Sequence, residues 1–173
     1  MCPTIHRYVD RERSTDIDPG LSCYLARTEG LDAKAFNQMV NFQSGLLGVS
    51  ETSSDMHDLL DLETRDVRAV EAVALFCYQV KKWIGAFAAA LGGLDTLVFA
   101  GGIGENAPTV RARICDGLGF LGIELEEKRN TAGEGVISSM ESPVAIRVLH
   151  TDEECMIAKT VFRVLDLAAQ RNG

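Results

Sequence analysis

Residues 94–115 read LDTLVFAGGIGENAPTVRARIC, and the fold turns on how they are read. Leu97, Val98 and Phe99 make a short apolar run, residues 100–104 a glycine-rich turn, and from Ala107 apolar residues resume helical spacing; the stretch predicts strand, loop, helix. Such a loop suits an anion. Gly101, Gly102 and Gly104 let a phosphate come close to the backbone, and a helix beginning near Asn106 offers unpaired N–H groups and the positive end of its dipole. Asn106 is placed to cap that helix, and Pro108 in its first turn lacks only a donor that would have no helical partner. Two other readings fit the same glycines. A strand-to-helix turn uses glycine without any ligand. Gly102, Gly104 and Ala107 also match the dinucleotide pattern G-x-G-x-x-G/A, with Glu124 or Glu126 about 20 residues further on, although a long helix precedes the strand where a dinucleotide unit usually begins. Glu105 would repel a phosphate unless its carboxylate faced ribose hydroxyls or a metal, so the loop points to a nucleotide with ribose or Mg2+ nearby.

The chain has 173 residues, enough for one domain with a real core. With 46% hydrophobic and 24% charged residues it has the composition of a globular protein. A net charge of −8 argues against nucleic acid, whose binders cluster Lys and Arg. A phosphate ligand stays compatible, because backbone amides and a divalent metal neutralise it locally. Cys2, Cys23, Cys77, Cys115 and Cys155 are scattered and lack C-x-x-C spacing, which favours reduced thiols and a cytoplasmic location. The most apolar segment, residues 83–91, is shorter than the about 20 residues that span a bilayer, so no membrane partner is expected.

Along the chain, Asp16 and Asp18 fit a cap, and Pro19 opens a helix through about Arg27. Asp32 caps a helix to about Val40, with Ala35, Phe36, Met39 and Val40 on one face. Gly45 and Gly48 bracket Leu46 and Leu47, and Ser53 or Ser54 starts a short helix holding Asp55, Met56 and His57. Thr64 is placed to cap a long helix that Gly92 and Gly93 stop after Leu91. Val67, Val70, Ala74, Cys77, Ile84 and Leu91 form one apolar stripe on it, and Leu75, Phe76, Trp83 and Phe87 lie beyond the stripe. Such a helix is covered from more than one side, as a core and subunit-contact element. Residues 123–125 and 136–137 read as short edge strands, and residues 144–149 as a second strand beside residues 97–100. Thr151 and Glu154 then form a capping box, which leaves Glu153 free.

GGIGEN after LDTLVFA, followed by VRARICDGLGFLGIELEEKRN, resembles the carboxy-terminal portion of the acetate kinase family, within the acetate and sugar kinase, Hsp70 and actin superfamily. Three further blocks carry the likeness: RSTDIDPG at 13–20, SGLLGVSETSSDMH at 44–57 and TDEECMIA at 151–158. Residues 1–10 match nothing in the family and read as the start of a truncated frame; residues 11–173 read as a partial carboxy-terminal domain.

The resemblance implies an α/β fold, an incomplete RNase H-like (actin-like ATPase) domain with a short sheet and flanking helices. It implies phosphoryl transfer between ATP/ADP and acetate/acetyl phosphate, with Mg2+. Carried over residue by residue, Arg13 acts on the transferred group. Asp55, Met56, His57, Gly102, Ile103, Gly104, Glu105 and Asn106 hold the nucleotide, and Glu153 holds Mg2+. It also implies a homodimer. The chain departs from the family pattern at Thr15, where glycine is usual, and at His57, where a permanent arginine cation becomes a titratable one. The family's amino-terminal phosphate loop and its earlier active-site His, Asp and second Arg have no counterpart, so the isolated chain is expected to be inactive. A butyrate or propionate kinase relative and a non-enzymatic oligomerisation remnant are the alternatives beside the NAD-binding one.

Overall fold

Four short helices, two of them started by an aspartate, make up the first part of the chain in the computed structural model, which describes residues 17, 18 and 20–171. Helix α1 is Leu21–Thr28. Asp32 accepts from Ala35 N–H at 2.7 Å and starts α2, Ala33–Phe42, as its sequence predicts. Gly45, with φ +63°, turns the chain into α3, Gly45–Ser50, a helix that the two leucines between glycines do not announce. The buried Ser50 hydroxyl donates to Ser53 O and accepts from Thr52 and Ser53 N–H, building the turn that follows. Helix α4, Met56–Leu62, is capped by Asp55, which accepts from His57 N–H at 2.8 Å. That corrects the expected start at Ser53 or Ser54, whose place upstream of the cap belongs to the turn.

Helix α5, Val67–Leu91, is likewise capped by Asp66 and not Thr64, and ends where Gly92 takes a left-handed conformation. Its buried residues are Ala69, Ala72, Val73, Phe76, Cys77 and Ala88, facing α3 and α4. Of the expected stripe only Cys77 is buried and Ile84 partly so; Val67, Val70, Ala74 and Leu91 face outward. The phase was misread because alanines carry little apolar weight in a sequence, yet their small size lets neighbouring helices approach closely. Toward the carboxy end Ala88 stays buried while the larger apolar residues beside it lose cover. Phe87 stands three turns beyond Phe76 on the same side, yet is 55% exposed, and Leu91 is 76% exposed.

Strand β1, Thr96–Phe99, pairs in parallel with β2, Ala145–Val148, in the register Leu97 to Ile146 and Phe99 to Val148. The crossover between them contains α6, Gly101–Asn106; α7, Pro108–Cys115; a 3-10 turn, Gly119–Leu121; and α8, Glu127–Ala132. The expected edge strands appear as isolated antiparallel pairings, Val136 with Arg147 and Leu125 with Ser138. Ile137 N–H donates to Ile146 O at 2.8 Å, and Glu126 N–H donates to Ile137 O at 2.8 Å. Among the described residues no strand pairs with the other edge of β1. Ile146, Val148, Phe99, Val110, Ile114 and Ile123 join the core formed on α5. Burial pushes the Cys115 thiol up to about 11 and raises that of Cys77, so both are protonated core residues at neutral pH.

Helix α9, Glu153–Arg171, leaves β2 through a turn at 149–152. Asp152 caps it, accepting from Cys155 N–H at 2.8 Å. The expected cap at Thr151 is thereby corrected: its hydroxyl is engaged elsewhere, by Glu105.

Candidate functional site

The glycine segment is itself a helix. Gly101, with φ +73°, lets the chain turn sharply out of β1, and α6 begins there rather than near Asn106. Asn106 sits in its last turn, donating Nδ2–H to Gly102 O at 2.9 Å, and caps nothing. Pro108 ends the helix: it disfavours helical geometry at Ala107, which takes φ −116° and ψ 79°, and it then opens α7. Gly104 is where α6 crosses β1, since a Cβ there would stand 3.3 Å from the Phe99 carbonyl carbon. In the first turn of a helix the amides have no carbonyl one turn back. Here that end, from Gly101 to Ile103, lies directly beyond the carboxyl end of β1, the position at which open α/β sheets take ligands.

Arg111 holds α6 from below. It is 1% exposed, and its guanidinium donates to Gly104 O and Glu105 O, each at 2.8 Å, and to Asn130 Oδ1 and O, each at 2.7 Å. Asn130 in turn donates to Pro108 O at 2.9 Å, tying α8 to the α6–α7 junction. Burial lowers the pKa of Arg111, yet its donors are matched to carbonyls at the negative end of α6. In the sequence Arg111 is one of two arginines on its helix, and nothing in its spacing marks it, rather than Arg113, as the buried one.

Glu105 holds α6 from the other side. Its Oε1 accepts from Gly101 N–H at 2.9 Å, from Thr151 N–H at 2.9 Å and from the Thr151 hydroxyl at 2.8 Å; His150 Nδ1 lies 2.8 Å from Oε2. The Thr151 amide and hydroxyl, then His150, hold the carboxyl well below its ordinary range, at about 2. An ionised carboxylate only accepts, so His150 carries its proton on Nδ1. The glycine helix and the β2–α9 turn, separated by 45 residues between Glu105 and His150, thus meet at one carboxylate.

The Asp55, Met56 and His57 segment is placed less directly. Asp55 caps α4, Met56 is buried in the core, and His57 is exposed with Nδ1 3.5 Å from Asp61. Glu63, just after α4, pairs with Arg113 of α7 at 2.5 and 2.8 Å, which links this segment to the crossover. Arg13 and Thr15 lie outside the described residues, as does the side chain of Glu153. Among the described residues no group of three His, Cys, Asp or Glu is arranged to hold a metal ion. A dedicated cage is not what Mg2+ needs, since it is commonly held by one or two carboxylates and the substrate's own phosphates.

A helix-rich domain with parallel strands delivering a glycine helix and a capped turn to one edge is a partial actin-like ATPase fold. The sequence model of the acetokinase family matches residues 8–159, and the chain belongs to that family. It is 44% identical over 157 residues to an acetate kinase of Porphyromonas gingivalis (strain ATCC BAA-308 / W83), covering 88% of this chain and 39% of that protein. It is 47% identical over 152 residues to an acetate kinase of Clostridium botulinum (strain Alaska E43 / Type E3), covering 85% and 38%. The crystal structure of Porphyromonas gingivalis acetate kinase superposes with a TM-score of 0.81 at 42% identity, over 91% of this chain and 41% of that one. A propionate kinase from Francisella tularensis subsp. tularensis SCHU S4 gives 0.79 at 35% identity, over 87% and 40%. The chain therefore spans about two fifths of the length of the relatives it matches.

Proposed function

We propose that this chain carries the nucleotide-binding part of an acetate kinase, an enzyme that moves the γ-phosphoryl group of ATP to acetate, giving acetyl phosphate and ADP, reversibly. The observation that carries the reading is the shared edge: α6 and the turn into α9 leave adjacent parallel strands at the same end and are joined through Glu105. Gly102, Ile103 and Gly104 offer backbone to the nucleotide, with Glu105 and Asn106 keeping the segment in shape from within. Asp55 and His57 form the second nucleotide contact, whereas Met56, expected beside them, is buried and anchors the segment in the core. Arg13, with its planar permanent charge, acts on the transferred phosphoryl group. Glu153 and the nucleotide phosphates would hold Mg2+, which when bound neutralises charge on the phosphates.

Acetate is taken as the acceptor because the relatives at 44% and 47% identity, from Porphyromonas gingivalis and Clostridium botulinum, are acetate kinases. Kinase family membership replaces the dinucleotide alternative, whose glycines would stand in a turn ahead of a helix and not inside one. The homodimer and the cytoplasmic location that the resemblance implies belong to the same proposal; the exposed Phe87 and Leu91 on α5 support the former.

Calorimetry with Mg-ADP on the wild-type chain and Glu153→Ala tests the reading. Binding that weakens without Mg2+ and loses that dependence in Glu153→Ala is expected. Equal binding by both proteins, with or without Mg2+, would remove Glu153 from the site, and no binding of ADP by the wild type would remove the nucleotide.

A further inference from the structure

We infer that Glu105 is a positioning residue, whose carboxylate clamps the turn between β2 and α9 onto the glycine helix and so sets where Glu153 stands relative to a bound nucleotide. The inference rests on the nucleotide reading above and gives Glu105 a part distinct from direct contact with the ligand. An ionised carboxylate has about four lone-pair sites. Here three donors, the Gly101 N–H and the Thr151 N–H and hydroxyl, converge on Oε1, and His150 Nδ1 stands at Oε2, all within 2.9 Å. The side chain is 12% exposed, while that of His150 outside it is 81% exposed. Oε1 is thereby fully engaged inside the protein, holding both backbone segments, and only Oε2 keeps a free acceptor site.

The need for a clamp follows from how the sheet ends. The last ladder bond between the two strands is Leu149 N–H to Phe99 O at 2.9 Å. Beyond it the chains diverge into α6 and α9, and the described side chains of α9 are nearly all exposed, so packing of α9 does little to fix the turn's direction. The carboxylate bridges the gap two residues past that bond on each side, at Gly101 and Thr151. It acts at both ends of the junction, on the first amide of α6 and on the residue two before Glu153. A shift of the turn would move Glu153 with it, because one residue, Asp152, separates Glu153 from the clamped Thr151.

Two readouts test the clamp on the 173-residue chain. Amide hydrogen exchange by NMR is expected to quicken by about tenfold or more at Thr151 and Gly101 in Glu105→Ala, with Ile146 in the core unchanged. Calorimetry with ADP is expected to show Mg2+-free affinity within about twofold of wild type and a much smaller gain on adding Mg2+. Thr151→Val, which keeps its amide and loses its hydroxyl at an exposed site, is expected to change both in the same direction and by less. Unchanged exchange at Thr151, or an undiminished gain from Mg2+ in both variants, would overturn the inference. A wild type that binds no ADP would instead overturn the nucleotide reading and with it the part given to Glu153, and exchange would then decide whether the clamp itself exists.

Discussion

Replacing Arg111 by methionine keeps an unbranched side chain of similar reach and deletes four hydrogen bonds at once. The Gly104 and Glu105 carbonyls are in part-buried surroundings where water can replace the guanidinium, but the two acceptors on Asn130 are buried. Leaving a buried acceptor unpaired costs about 1–3 kcal/mol, so Asn130 accounts for roughly 2–6 kcal/mol. Removing a cation that burial disfavours returns part of this, and a net loss of about 3 kcal/mol is expected. In a domain of this size that corresponds to a fall in Tm of about 6–12 °C. Urea unfolding followed by far-ultraviolet circular dichroism measures it, with Arg111→Lys beside it as the variant that keeps the charge but not the planar fork, and loses less. A loss below about 1 kcal/mol in Arg111→Met at unchanged m-value would refute the account, since it would mean that the Asn130 acceptors find other donors at little cost.

The depressed Glu105 carboxyl stabilises the folded chain fully above about pH 4.5, its ordinary value, and that contribution is lost as pH falls toward about 2. The stability difference between wild type and Glu105→Gln should therefore be largest near neutrality and shrink through that window; a difference independent of pH would refute the assignment. The isolated chain should form no acetyl phosphate above background in a hydroxamate assay, because it spans 39% of its relative and phosphoryl transfer uses its groups as a set; robust turnover would show that this portion is sufficient. Sedimentation should give a dimer or larger species that Phe87→Glu weakens, burial of one such ring being worth about 1.5–3 kcal/mol; a monodisperse monomer unaffected by the substitution would show that α5 needs no partner.

The two strands, their adjacency and the long helix are legible because each is announced by a strong local pattern: an apolar run before glycines, a second run at 144–149, and 25 residues of helix closed by Gly92. Caps were harder. Asp55, Asp66 and Asp152 were passed over for nearby Ser or Thr, because all these residue types cap well and only the turn geometry chooses among them. The α6 helix was misplaced because three glycines in six residues have poor helix propensity, which the sheet edge, Arg111 and Glu105 together override. Of the site, the glycine segment was visible by composition. The Glu105 to Thr151 junction was not, since it pairs residues 46 apart whose proximity is a property of the parallel register.

The side of β1 left without a partner among the described residues makes the sheet directional. Bridge pairings continue it past β2, toward residues 135–138 and 124–126, so its growth in that direction is already used. On the far side, alternate N–H and C=O groups of four residues remain in line beside Val98, itself 46% exposed. Among the described residues this edge of β1 has no partner, and a row of such backbone groups selects extended chain of almost any sequence. The same edge is thus an acceptor for a complementary segment and, at high concentration without one, a template for association between copies of the chain.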